Sequence, residues 1–377
     1  MKKVSMCGPL PPIKWGISEY TKSLVSAMEQ HIAVQFLGYD AMYPDALYPG
    51  GAYKDDTLLK PKLHNTNLQE SINRYNPLSW IKAWVDIDGD VLHIQYWIRF
   101  LSPIVITIDL IARYIHKIPV VMTIHNVIPH EISFRKLWID KLVYKTATSF
   151  VVHSQKNKED LIEIVWSKKS VEVIPMWILP ISTKKISKQE ARTQLDIWQD
   201  RKVLLAVGNI RAYKWLDVTI NILSELVKND GDYLLIIAGK CREERSKYQT
   251  QIDALGMQDH ILRIPGFLSE EQMNQVFCAS DIQMLTYTHF DAQSAALATG
   301  LWFDIPMIVS DFGGLTDVID APEYVIDIQD AHWSAHKIIS VIDDLDRSIH
   351  YIQQRKKHFS WDVIALDTIA YYSTLFW

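Results

Sequence analysis

Cysteine is scarce: Cys7, Cys241 and Cys278 are the only three in 377 residues, and they show no paired spacing. That excludes a disulfide framework and a cysteine-built zinc site, and it favours a reducing compartment. A basic excess is also missing. The formal net charge of -5 gives no reason to expect nonspecific nucleic-acid binding, so any affinity for anions must be local. Long apolar runs are absent too. The most membrane-like stretch, residues 97–115, is interrupted by Arg99, Asp109 and Arg113 and has Pro103 placed for a helix start. It reads as a buried helix, the alternative being a helix that touches a membrane surface or a lipid substrate. The N-terminal MKKVSMCGPLPP is too short in its apolar part for a signal peptide and reads as a first strand. A cytoplasmic protein is therefore expected, with a peripheral position at the inner face of a membrane as the variant. No Gly-x-Gly-x-x-Gly follows a strand, which argues against a dehydrogenase. No metal-ligand spacing appears, so neither a metal nor a cofactor is expected.

What is present has the composition of a soluble globular enzyme, 48% hydrophobic and 22% charged, and is long enough for two cores. Short β-branched runs alternate with helical patterns throughout, which predicts parallel α/β layering. In the first half the strand candidates are 4–8, 34–39, 91–96, 119–125, 149–154 and 171–175, with a helix over 17–30. Residues 43–76, rich in Pro, Gly, Asn and Asp, read as a long mobile insertion. A polar run from Ser182 to Lys188 suits a linker. Beyond it, strand candidates recur at 203–208, 233–239, 261–266, 282–287, 306–311 and 324–328. The pattern predicts two Rossmann-like domains facing each other across a cleft, with ligands at the carboxyl ends of the strands.

Several strand-end loops carry suggestive chemistry. In VGNIRAYKWLDV (207–218), a glycine permits a tight turn, and Arg211 and Lys214 sit where a helix seems to begin. Two cations beside a helix start would suit a diphosphate, although a plain turn with solvated charges gives the same letters. In DAQSAALATG (291–300), Asp291 is either the N-cap of a helix over 292–302 or a carboxylate for sugar hydroxyls, with Ser294 offering a hydroxyl and N–H nearby. Gly313 and Gly314 follow another strand and read most simply as a turn. His125 ends a buried strand; His93 and His153, also near strand ends, read as structural.

Taken in order, PPIKWGISEYTKSL, VMTIHNVIPHE, VEVIP, VGNIRAYKWLD, DAQSAALATG and PMIVSDFGGLTDVI resemble the motifs of the retaining glycosyltransferases of family 4, over nearly the whole length. The resemblance implies a GT-B fold with an acceptor-binding domain over 1–180, a nucleotide-sugar domain over 181–360 and a C-terminal helix over 361–377 that returns to the first domain. It implies transfer of a sugar from a nucleotide diphosphate to the hydroxyl of a carbohydrate or lipid-linked acceptor, without a metal. Lys214 matches the lysine that holds the diphosphate. Asn209 occupies the place of the usual arginine, for which Arg211 is the replacement. Asp291 and Thr299 fall on the two glutamate positions, so threonine removes a carboxylate expected near the ribose. His125 matches the histidine beside the transferred sugar, and Gly16 the loop that approaches the diphosphate. Gln293, Ser294, Ala295, Gly313 and Gly314 complete the implied donor site. Trp15, Trp215 and Asp304 stand where glycines are usual and are expected to narrow it. An inactive relative that binds nucleotide sugar, or an epimerase, are the competing readings.

Overall fold

The computed structural model of the chain describes residues 1–13, 16–42, 53–54, 60–127, 137–165, 169–175, 183–211, 214, 216–241, 245–288 and 294–376. It divides into two compact units, Met1–Trp177 together with Ser360–Trp377, and Ile178–Phe359.

The first unit holds a seven-stranded parallel sheet: β1 (Lys3–Gly8), β2 (Ala33–Ala41), β3 (Thr66–Asn73), β4 (Val91–Tyr96), β5 (Val120–Ile124), β6 (Ser149–Val152) and β7 (Val171–Val173), in the order β3-β2-β1-β4-β5-β6-β7. The inner strands are buried along nearly their whole length because helices cover both faces, so they read as mainly apolar runs broken by single polar residues such as Ser5, His93, Gln95 and Thr123. The helices are α1 (Gly16–Met28), α2 (Pro77–Val85), α3 (Ser102–Ile111), α4 (Leu137–Thr146) and α5 (Gln155–Val165). The strand order reverses direction beside β1. Right-handed crossovers then place α1 on one face and α2 to α5 on the other.

The second unit carries α6 (Lys188–Gln194), β8 (Lys202–Val207), α7 (Leu216–Asp230), β9 (Tyr233–Gly239), α8 (Arg245–Leu255), β10 (Ile261–Pro265), α9 (Glu270–Ala279), β11 (Ile282–Leu285), α10 (Ala295–Phe303), β12 (Met307–Ser310), α11 (Gly314–Val318), β13 (Val325–Ile326), α12 (Ala331–Asp343) and α13 (Leu345–His358). Its sheet order is β10-β9-β8-β11-β12-β13, so the direction reverses between β8 and β11. A crevice opens at the carboxyl ends of strands at such a reversal. The last helix, α14 (Trp361–Ser373), is capped by Ser360 and packs on α1 of the first unit.

Three expectations need correction. Residues 66–73, expected inside a mobile insertion, form the edge strand β3, paired in parallel with β2. Its sequence, TNLQESIN, gives no apolar alternation because only Ile72 is fully buried. Order comes instead from buried Glu29, whose carboxylate accepts from the His64 and Asn65 amides at 3.0 Å and from the Thr66 hydroxyl at 2.8 Å. Residues 97–115, expected to be a buried helix, are amphipathic. Ile104, Val105 and Ile108 pack inward while Leu110, Tyr114 and Ile115 are exposed. The polar run expected to be a linker is fastened to the second unit: Thr183 donates to Glu270 at 2.9 Å, and Asn274 donates to the Lys184 carbonyl at 2.7 Å.

One charged cluster holds the amino ends of the strands that carry the second unit's crevice. Asp281, immediately before β11, accepts from the Val203 amide of β8 at 2.7 Å and from Arg192 of α6 at 2.9 Å. Arg192 is itself buried and donates onward to the Ala279 carbonyl at 3.0 Å. Removing one member of a buried pair leaves an uncompensated charge. Asp281→Ala is therefore expected to cost the second unit about 3–5 kcal/mol. Urea unfolding followed by exchange of β8 amides measures it, and a loss under about 1 kcal/mol, the worth of an exposed pair, contradicts this role.

Candidate functional site

The site in the second unit starts from two glycines. Gly208 ends β8 with φ +109, and its amide donates to the Ala238 carbonyl at 2.9 Å. Gly239 ends β9 with φ +134, and a Cβ there would lie 2.0 Å from the Gly208 carbonyl oxygen. Both positions demand glycine, so the two strand ends close together and the chain leaves β8 in a tight turn. Ile210 then donates to the Lys240 carbonyl at 2.9 Å, and Lys214 to the Arg211 carbonyl at 2.9 Å. Arg211 and Lys214 thus sit in the turn before α7 rather than in its first turn, since α7 begins at Leu216.

A cavity of about 460 Å³ lies over this turn. Gly208, Asn209, Arg211 and Lys214 line one side, Met273 and Phe277 of α9 another, and Ser294, Ala295, Ala296 and Thr299 a third. No described carboxylate forms an ion pair with Arg211 or Lys214, so both charges are available to an anion. The Lys214 ammonium lies where a Gly208 Cβ would come within 3.0 Å of it, and 5.0 Å from the centre of the Tyr287 ring. Asn209 Oδ1 is buried without a hydrogen-bond partner, a cost that a ligand donor would relieve.

The third side is the start of α10. Ser294 has N-cap dihedrals, but its hydroxyl bonds the Tyr287 hydroxyl at 3.0 Å instead of capping the helix. The first amides of α10 therefore face the cavity without a side-chain cap and carry the helix's partial positive charge. This corrects the expected helix over 292–302, because Ser294 is the residue before the first turn. Thr299 lines the cavity, and its hydroxyl donates to the Ala295 carbonyl at 2.9 Å. Asp304 does not narrow the site. It stands in the left-handed conformation after α10 with φ 61, and its carboxylate holds Lys185 at 2.5 Å and Lys356 at 2.8 Å. Gly313 and Gly314 sit at the end of β12 and the start of α11, and neither lines the cavity. Asp291, Gln293, Trp15 and Trp215 lie outside the described residues. Tyr287, Met273, Phe277 and Gly239 were not singled out from the sequence, since each reads there as ordinary core or turn.

In the first unit His125 follows β5 and is 8% exposed. It belongs to a buried chain of polar groups that includes both histidines read as structural. His153 Nδ1 lies 3.0 Å from the Ile174 carbonyl, which only accepts, so that nitrogen carries the proton. Its Nε2 therefore accepts from His125 Nδ1 at 3.1 Å. A neutral His125 then keeps a lone pair on Nε2, which lies 2.8 Å from the position of Gln95 Oε1, itself an acceptor. The consistent assignment turns the amide nitrogen toward His125. His93 completes the chain between the Tyr372 hydroxyl and Thr123, the latter at 2.6 Å. Burial depresses all three imidazoles, to about 3 for His93, about 4 for His153 and well below the ordinary value for His125. Gly16 opens α1, and a Cβ there would meet nothing within 4 Å.

Two doubly wound parallel units, one with a cationic turn at its switch point, define the architecture of GT-B glycosyltransferases. Two family models match in tandem, Glycosyltransferase Family 4 over residues 16–178 and Glycosyl transferases group 1 over residues 187–358. The chain belongs to the group 1 glycosyltransferases of GT-B type. An uncharacterized glycosyltransferase of Methanocaldococcus jannaschii is 22% identical over a stretch covering 57% of this chain and 54% of that relative. The match thus spans about half of that relative's length. Among solved structures, Anabaena HepE in complex with UDP is similar with a TM-score of 0.68 and 14% identity, over 99% of this chain and 100% of that one. Sucrose-phosphate synthase from Thermosynechococcus elongatus is similar with a TM-score of 0.63 and 16% identity, over 100% and 99%. At these identities the likeness is one of fold.

The neutral histidine chain makes the first unit acid-sensitive. In the unfolded chain imidazoles titrate near 6.5, so below that pH the unfolded state binds protons that the folded state refuses. Their contribution is complete above pH 6.5 and is lost as pH falls toward 4. Each imidazole adds a slope of about 1.4 kcal/mol per pH unit in that window. Exchange of β5 and β6 amides between pH 5 and 7 measures this, and His153→Gln is expected to remove about one of the three slopes. A pH-independent opening free energy across that window contradicts the assignment.

Proposed function

We propose that this chain is a retaining, metal-independent hexosyltransferase that moves a sugar from a nucleotide-diphosphate donor to an acceptor hydroxyl on a glycan or lipid-linked saccharide. The observation that carries the reading is the cavity over Gly208, where two cations without described carboxylate partners converge with the uncapped start of α10. As the bond from the anomeric carbon to the phosphate oxygen breaks, negative charge grows on the leaving diphosphate. A cation about 4 Å away contributes roughly 4 kcal/mol at an effective dielectric near 20. Fixed groups of this kind stabilise that charge without rearranging at the moment of reaction.

In the proposed reaction the acceptor oxygen attacks the anomeric carbon from the face the diphosphate leaves. The acceptor proton passes to the departing phosphate oxygen, so no second carboxylate is required. Lys214 and Arg211 hold the diphosphate, Asn209 and Ser294 line its pocket, and Asp291 contacts the sugar. The family resemblance also assigns His125, Gly16, Gln293, Gly313 and Gly314 to donor recognition, with His125 acting as a neutral ring. Uridine diphosphate sugars are the first donors to try, since Anabaena HepE was solved with UDP and with UDP-glucose. The proposed location is the cytoplasm. A second reading, donor binding without transfer, is favoured by Thr299, which has no carboxylate and whose hydroxyl is committed to the Ala295 carbonyl.

Lys214→Ala is expected to lower kcat/KM by about 10²–10³, as for loss of one preorganised donor, with the apo melting temperature unchanged. A panel of nucleotide sugars with product analysis checks it. Turnover by the variant within about threefold of the parent removes the lysine from the mechanism. Nucleotide binding by the parent with no turnover of any donor supports the second reading.

A further inference from the structure

A second groove opens in the second unit, apart from the cavity over Gly208. It measures about 710 Å³ and lies at the carboxyl ends of β12 and β13, on the edge of the sheet. The reversal between β8 and β11 is two strand spacings away, or about 10 Å. Buried Ile319 and Ile326 give the groove an apolar lining, and two large rings stand at its wall. Phe312, just after β12, is 39% exposed, and Trp333 of α12 is 43% exposed. The Trp333 ring is held in place. Its backbone amide donates to the cap residue Asp330 at 2.9 Å, and the Lys337 ammonium lies 4.3 Å from the ring centre. Lys337 is itself fastened to the carbonyls of Pro322 at 2.5 Å and Val325 at 2.7 Å. A ring fixed in this way loses little freedom when a ligand packs on it.

The charged groups of the groove are mainly acceptors. Three aspartates line it, and Asp320 is already satisfied, by Arg355 at 2.9 Å and the Tyr351 hydroxyl at 2.8 Å. Asp327 Oδ1 accepts from the Gln329 backbone amide at 2.9 Å, and its second oxygen has no partner among the described residues. Asp311 is exposed and forms no ion pair or hydrogen bond among them. Lys337 is the only cation among the described lining residues, and its ammonium is committed to two carbonyls. The groove is therefore the electrostatic opposite of the cavity over Gly208 and disfavours phosphate. A cationic ligand is disfavoured as well, because Lys337 already sits on the Trp333 ring. What fits is a neutral ligand with an apolar face and a rim of donors. A pyranose is such a ligand: its C–H face packs on an aromatic ring while its hydroxyls donate to carboxylates. Bonds of that kind are about twice as strong as those to neutral acceptors.

We propose that the groove at the ends of β12 and β13 binds a neutral oligosaccharide, with a sugar ring packed on Trp333 and hydroxyls donating to Asp311 and Asp327. This goes beyond the transfer reaction and does not depend on it, so its test reads binding and not turnover. The full chain with isotope-labelled isoleucine methyls is titrated with maltotetraose, cellotetraose and mannotetraose, and with spermine and inorganic phosphate as charged controls. At least one tetrasaccharide is expected to shift the Ile319, Ile326 and Ile328 methyls, which line the groove, in a saturable way, and neither control is. Trp333→Ala, and separately Asp311→Asn with Asp327→Asn, are expected to weaken that binding at least tenfold. Asparagine at 327 keeps the oxygen that caps the Gln329 amide, and Asp311 and Trp333 are exposed. The melting temperature and nucleotide binding of both variants are therefore expected to match the parent. No saturable shift with any of the three tetrasaccharides overturns the proposal, as does binding that both variants retain. Saturable shifts of the same methyls with spermine also overturn it and would assign the groove to a cationic ligand.

Discussion

The close approach of Gly208 and Gly239 is the constraint on which the site depends. With no Cβ on either, the ends of β8 and β9 hydrogen-bond past the last regular strand residues, and the chain can turn back over the sheet. That turn brings the Lys214 ammonium over Gly208 and within reach of the Tyr287 ring. Tyr287 in turn takes the Ser294 hydroxyl, which leaves the amides at the start of α10 uncapped. The shape of this cavity therefore follows from backbone geometry first and charge second.

The two units treat polar groups differently. At the switch point of the second unit, two cations line a cavity without described counter-charges. In the first unit, three imidazoles are buried, neutral and wired to one another, ending on the Ile174 carbonyl. That wiring fixes which nitrogen of His125 keeps a lone pair. Both ring nitrogens are committed, Nδ1 to His153 and Nε2 to Gln95, and burial keeps the ring neutral, so His125 is poorly suited to donate a proton.

Much of the fold was legible because parallel strands covered on both faces are mainly apolar, most clearly in β9, YLLIIAG. β3 was not legible, since an edge strand with one buried side chain leaves no pattern, and its anchor Glu29 is far away in sequence. The amphipathic character of residues 97–115 was masked by the number of apolar residues on both sides of the helix. At the site, the turn with Gly208, Arg211 and Lys214 was visible in the sequence but open to a plain-turn reading, and Asn209 entered through the family resemblance; the structure places all four on one cavity wall. Tyr287, Met273 and Phe277 could not be picked out, because a core aromatic and a helix face look alike whether or not a cavity opens beside them. Asp304 misled for a clear reason: its position favours glycine for its left-handed backbone, and the side chain turns to Lys185 and Lys356.

The central claim is that the Gly208–Lys214 turn recognises a diphosphate. Calorimetric titration with UDP and with UMP tests it most directly, because the two ligands differ only in the group the turn is proposed to hold. The account predicts that loss of the second phosphate weakens binding at least about 100-fold, roughly 2.7 kcal/mol. Equal affinities for the two nucleotides would contradict it.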